Sequence, residues 1–140
     1  NAFNLDIVMA RPFNIFGKTL PNGFLISNLL RSIKTNEKIT IVNKDSKRDF
    51  LHVDDFVDLV LKIKDYDFKF EVFNVGSGKS HSFTEVIEKI EEISLKKLNL
   101  QYEENEENLI EEITADISKL GNKIKWNPKI SFDEGVQKSK

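Results

Sequence analysis

Two short segments hold the side chains best suited to chemistry: Arg11-Pro12-Phe13-Asn14-Ile15-Phe16-Gly17 and Arg48-Asp49-Phe50-Leu51-His52-Val53-Asp54-Asp55. Each sets charged and amide groups at the edge of an apolar run, where a mostly parallel sheet places its ligands. Arg48 is one of only three arginines in the 140-residue chain and stands just before a buried-looking strand. A guanidinium fork there can give a diphosphate two parallel, charge-assisted hydrogen bonds. An ion pair with Asp49 or Asp54 would employ the same group. Asn14 poses a similar choice, between donating to a ligand from the loop beyond a strand and satisfying turn backbone. Arg11, one step from its strand end, reads as a structural ion pair.

Other constellations lead elsewhere. Gly76-Ser77-Gly78-Lys79-Ser80 lies between an expected strand and an expected helix, the setting of a phosphate-binding loop. The full loop needs a glycine five positions before the Gly-Lys pair, and Phe73 stands there. A Gly-rich strand-to-helix turn is the better reading. No Gly-x-Gly-x-x-Gly occurs, since His81 holds the place of the third glycine. His52 and His81 have no serine or cysteine at a catalytic spacing. A metal site from His52, Asp54 and Asp55 is conceivable, but neighbouring strand residues alternate faces, so a packed imidazole and a helix cap are expected.

The elements that must position these groups alternate between strand and helix. Leu5 to Ala10 has strand length, with Pro12 and Gly17 closing it. After the turn Pro21-Asn22-Gly23, helical spacing runs from Phe24 to Lys34. Ile39–Val42 and Phe50–Val53 read as strands, and Asp54 or Asp55 should cap a helix with the stripe Phe56, Val57, Leu59, Val60 and Ile63. Val72–Val75 is a further strand, and Ser82-Phe83-Thr84-Glu85 opens a helix with a capping box. Leu98–Tyr102 alternates as a strand, Glu103–Glu112 reads as an acidic, solvated loop, and Ser131-Phe132-Asp133-Glu134 opens a final helix. This order implies an α/β fold built as one lobe.

Composition narrows the function. A net charge of −2 gives no electrostatic case for nucleic acid. The chain has no cysteine, which excludes a disulfide scaffold or thiolate metal site and suits a reducing, cytoplasmic setting. No apolar run approaches the roughly 18 residues of a membrane helix. The opening Asn1-Ala2-Phe3-Asn4, without an initiator Met or an export leader, reads as a cut into a longer protein.

Four pieces in order resemble one family. Ile7 to Gly17 resembles the strand and loop just after the catalytic helix of extended short-chain dehydrogenase/reductases, the nucleotide-sugar epimerases, dehydratases and 4-keto reductases. Arg48 to Asp55 resembles their Arg-Asp-aromatic-x-x-Val-x-Asp element, and Phe73 to Gly78 their Asn-x-Gly-x-Gly turn. Asp116-Ile117-Ser118-Lys119, Trp126-Asn127-Pro128 and Glu134-Gly135 resemble the closing signals.

The resemblance implies that residues 1–140 are the C-terminal portion of such a Rossmann-like protein, the substrate-binding lobe, with 1–17 the last part of the cofactor-domain sheet and loop and the dinucleotide-binding half absent. It implies that Asn14 and Arg48 hold the diphosphate of a nucleotide-sugar and that Asn74 lines the same pocket. Pro12 and Phe13 would lie against the nicotinamide end of NAD or NADP, bound mainly by the other half. A homodimer is implied for the full-length protein. Family chemistry is hydride transfer assisted by a Tyr-x-x-x-Lys pair; here Phe70 and Glu106 stand four residues after Tyr66 and Tyr102, so no catalytic residue is assigned within this chain. Two positions depart from the pattern: the acidic stretch Glu103 to Asn108, where the family commonly has an arginine, and Val42, where some relatives stack the base on an aromatic ring. The rival readings are a stand-alone, non-catalytic nucleotide-sugar-binding remnant and a P-loop nucleotide hydrolase.

Overall fold

The chain runs strand β1 (Ile7–Pro12), β2 (Asn14–Phe16), helix α1 (Leu25–Thr35), β3 (Ile39–Val42), β4 (Lys47–His52), α2 (Val53–Ile63), β5 (Phe70–Val75), β6 (Ser80–Ser82), α3 (Phe83–Ser94), β7 (Leu100–Glu103), β8 (Glu112–Ile113), α4 (Ser118–Ile124) and α5 (Phe132–Ser139). These elements come from a computed structural model that describes residues 5–21, 23–105 and 110–140. Asn22 of the expected turn and the centre of the acidic stretch, residues 106–109, lie outside the described residues.

Pairing is mainly parallel, as the strand–helix alternation implies. β1 pairs with β5, β2 with β4, β3 with β7, and β8 with β4, all parallel; β6 joins β4 antiparallel. β4 lies between two apolar clusters because its side chains alternate. Phe50 packs with Phe16, Ile26, Leu29, Ile41, Val86, Ile90 and Val136 under α1, α3 and α5. Leu51 faces the opposite way, into Leu59, Phe73, Val75, Leu120, Ile124 and Trp126 under α2 and α4.

The step between β1 and β2 decides which way the site residues face. Val8 and Ala10 pack on the second cluster, and so does Ile15, an odd number of residues later. Alternation therefore slips once, around Phe13, whose N–H bonds Val75 O at 2.9 Å. Such a slip re-aims the strand that follows it. Asn14 and Phe16 consequently continue the face of Ile7, Met9 and Arg11.

Several expectations are corrected in detail. The cap of α2 is His52, whose Nδ1 accepts from Asp54 N at 3.3 Å, and neither Asp54 nor Asp55. β4 begins at Lys47 rather than Phe50, since its first residues are held by β6 and β8. α4 lacks a sequence signature because it contains Gly121 and has no side-chain cap; it is held instead by burying Leu120 and Ile124. The capping box of α3 is present as expected, with Ser82 and Glu85 bonding each other's backbone N–H.

Candidate functional site

Arg48 follows the turn after β3, and the pairing of β4 with β2 and β8 fixes where its side chain emerges. Its Nη1 donates to Lys47 O at 2.7 Å and to Ile110 O at 2.9 Å, and its guanidinium lies 5.6 Å over the Phe83 ring. No ion pair to Asp49 or Asp54 forms: Asp49 points into the opposite face, and Asp54 lies near His52 and Lys138. Arginine has five N–H donors, so the Nε and Nη2 side of the fork has no partner among the described residues.

Asn14 stands in register with Phe50, one pleat from Arg48 on the same face of the β2–β4 ladder. Its Nδ2 donates to Asp49 O at 2.9 Å. That bond goes to strand backbone on β4 rather than to turn backbone, and leaves the carbonyl oxygen and one N–H without a partner among the described residues. Asn74 is the register partner of Arg11 on β5, half-buried, on the face that Asn14 continues. Pro12 is exposed and Phe13 half-buried at the end of β1. Thus β1, β2, β4 and β5 bring Asn14, Arg48 and Asn74 to one side of the parallel strands, at strand ends.

Arg11 departs from expectation. It is exposed and has no ion pair among the described residues, none of which packs over it.

The Gly76–Gly78 turn is occupied by protein. Asp49, fully buried, takes Ser77 N and Ser77 Oγ on Oδ1, both at 2.7 Å, and Gly78 N and Ala115 N on Oδ2, at 2.9 and 3.1 Å. The amides that a phosphate-binding loop would aim at its ligand are spent on this carboxylate. That overturns the P-loop reading on its own geometry. The role of Asp49 went unread because nothing in the local sequence links it to residues 28 and 66 positions away. Asp55 has a similar unread role: it accepts from Lys129 N and Ile130 N and ties α2 to the segment before α5.

His52 is buried edge-on to Phe16, with ring centroids 5.4 Å apart. Burial lowers its pKa below the ordinary 6.5, partly opposed by Asp54. Its side chain caps α2 and that of Asp55 is committed elsewhere; no cluster of metal-binding side chains occurs among the described residues.

The acidic stretch is bracketed on both sides. Asn43, in the left-handed region at φ 53°, bonds Asn105 reciprocally, Nδ2 to O at 2.9 Å and Oδ1 from N at 2.7 Å. Arg48 holds Ile110 at the far end. Glu112 turns its carboxylate onto Ser80 and Thr114, whose hydroxyls lower its pKa. Val42 is exposed at the end of β3, where it offers no ring.

Comparison with known proteins settles the family. The GDP-mannose 4,6 dehydratase family model matches residues 1–139. The chain belongs to this family of extended short-chain dehydrogenase/reductases. A CDP-abequose synthase from Salmonella muenchen is 32% identical over 129 residues, covering 89% of this chain and 44% of its own length. Among solved structures, UDP-glucuronic acid 4-epimerase from Bacillus cereus, in complex with UDP-glucuronic acid and NAD, superposes with a TM-score of 0.87 at 23% identity, covering 98% of this chain and 45% of that one. RMD from Pseudomonas aeruginosa, complexed with NADPH, gives 0.83 at 23% identity, with coverage of 94% and 46%. The chain thus spans less than half the length of these proteins, and its fold is that of the C-terminal part of the Rossmann-like chains. No helix among the described residues is long and apolar enough to cross a membrane.

Proposed function

We propose that this chain is the nucleotide-sugar-binding part of an NAD- or NADP-dependent epimerase, 4,6-dehydratase or 4-keto reductase. The observation that carries the reading is the Arg48 guanidinium, whose Nε and Nη2 edge has no partner among the described residues and shares a face with the Asn14 amide. Lys47 O, Ile110 O and Phe83 hold the rest of the group in place. A fork fixed from behind loses little freedom when it closes on a diphosphate. Asn14 adds a donor and an acceptor one pleat away, and Asn74 lines the same pocket.

The cofactor, when bound, supplies hydride transfer. The fit of this chain to it is partial. Asp49 occupies the amides of the Gly76–Gly78 turn that follows β5, so that turn offers no cradle for a pyrophosphate. Pro12 and Phe13 can only flank the nicotinamide end. The residues in hand therefore bind and orient the sugar nucleotide, while the proton-transfer pair and the pyrophosphate site belong to the rest of the protein. The same proposal includes a cytoplasmic location and a homodimer of the whole protein.

A stand-alone binding remnant is less well supported, because Ile7, Met9 and Phe70 form an exposed apolar face on β1 and β5 that a self-sufficient module would bury. Calorimetric titration of the full-length protein with UDP-glucose, UDP-glucuronate and their GDP and CDP counterparts tests the proposal. Saturable binding of at least one, competed by the matching nucleoside diphosphate, is expected. Binding of none would sink it.

A further inference from the structure

Ile7, Met9 and Arg11 on β1 stand in register with Phe70, Val72 and Asn74 on β5, and no helix among the described residues covers this side of the pair, though Val72 and Asn74 are half-buried. Ile7 is 40%, Met9 46% and Phe70 61% exposed. Parallel strands are ordinarily covered on both faces, because the crossovers that connect them are helices. The opposite face obeys that rule.

The two edges of the pair also differ. At β5, Lys119 Nζ donates to Val72 O at 2.8 Å, a lysine guarding an edge. β1 pairs with β5 alone and has no such guard among the described residues. The matched relatives are more than twice as long as this chain, and a protein of their length has enough further sequence to cover both the open edge and the face.

Arg11 is the one charge on this apolar face, and it has no partner among the described residues. Covering the face with apolar groups alone would desolvate a guanidinium and leave it unpaired, which is strongly unfavourable. Its neighbour Asn74 offers only a neutral acceptor. The cover must therefore bring an anion to this spot, and a carboxylate fits the guanidinium fork bidentately.

We propose that Arg11 anchors the joint between this lobe and the rest of the protein. A helix of the cofactor-binding half lies across Ile7, Met9 and Phe70, and its Asp or Glu side chain pairs with Arg11. This rests on the reading of the chain as one lobe of a two-lobed enzyme. Arg11 acts by fixing the seam beside which Asn14 and Asn74 lie, as a positioning residue.

The test uses the full-length protein with Met9→Cys, and follows maleimide modification of the peptide containing residue 9 by mass spectrometry, natively and in urea. Native labelling at least about 100-fold slower than in urea is expected, since access then requires the joint to open. On that background Arg11→Glu should label fastest, Arg11→Ala next, and Arg11→Lys closest to the parent. Packing alone does not produce such a charge order. Should Arg11→Glu fail to fold, Arg11→Gln and Arg11→Lys preserve the comparison. The proposal is overturned if the introduced thiol labels natively at the urea rate, if all Arg11 variants label like the parent, or if the gene encodes no chain beyond these residues. Sugar-nucleotide binding on the same samples separates the two ideas. Protection with the charge order but no binding sinks the proposed function alone, and binding without protection sinks the joint alone.

Discussion

Asp49 and Ser77 are joined twice, the carboxylate accepting both the backbone N–H and the hydroxyl of Ser77 at 2.7 Å. With Gly78 N and Ala115 N on its other oxygen, Asp49 locks β4, the β5–β6 turn and the segment before α4 into one unit. Its removal strands three buried or half-buried backbone donors, each costing about 1–3 kcal/mol. Asp49→Ala should therefore lower the unfolding free energy by at least about 3 kcal/mol in urea titration, a loss typical of a broken buried network. Gly76→Ala tests the same joint sterically, because a Cβ there would meet Asp49 Oδ2 at 2.6 Å and Ala115 Cβ at 2.5 Å. About 1–3 kcal/mol is expected for such overpacking. Wild-type stability in both variants would show that the joint is idle.

Lys79 completes a phosphate-loop-like string but, with the turn amides spent on Asp49, faces no phosphate site. Lys79→Ala should leave stability within about 0.5 kcal/mol of the parent, as surface substitutions do. It should also leave sugar-nucleotide affinity unchanged, and the parent should release no phosphate from ATP. An ATPase activity that disappears in Lys79→Ala would reverse this conclusion.

What could be read from the chain itself was whatever is local. The capping box Ser82–Glu85, the β-branched strand Ile39–Val42 and the stripe of α1 depend on neighbours a few residues away, and each appears in the structure. The short strands β6 and β8 exist only because β4 offers them an edge, and α4 only because a core receives Leu120 and Ile124. Tertiary pairing decides such elements, and propensity does not reveal them. At the site, the residue types of Arg48 and Asn14 were legible. Their common face was not, because it depends on the long-range β2–β4 register that sets Asn14 opposite Phe50. The expected partner of Arg11 was not legible either: no carboxylate among the described residues pairs with it, and its exposed strand face meets none of the elements that carry them.

Arg48 should decide sugar-nucleotide affinity. Hydrogen bonds to a charged partner are worth about 1.5–3 kcal/mol, so Arg48→Ala should weaken binding by roughly 10–100-fold in calorimetric titration. Arg48→Lys keeps the charge but loses the fork, and should restore only part of that loss. Urea unfolding of each variant must accompany the titration, because Arg48 also holds Ile110 O and packs on Phe83. Unchanged affinity in a folded Arg48→Ala would remove the diphosphate contact from the proposed function.

Two groups should divide the acid response of this lobe into separate windows. His52 is buried and its pKa lies below the ordinary 6.5, so the folded form keeps it neutral where the unfolded chain takes up a proton. Its contribution is complete above pH 6.5 and is lost as pH falls towards its folded pKa. Glu71 lies lower: hydrogen bonds from Lys119 and then Lys123 hold its carboxyl at about 2 instead of 4.5. Its contribution is complete above pH 4.5 and disappears between there and about 2. Urea unfolding measured from pH 8 to 3 should thus show stability falling first below 6.5 and again below 4.5. His52→Asn keeps a cap acceptor for α2 and should flatten only the upper window. Glu71→Gln should make only the lower one shallower, because Glu85, Glu91 and Glu112, whose carboxyls are also lowered, still titrate there. A single slope removed by neither variant would assign the acid response to other groups.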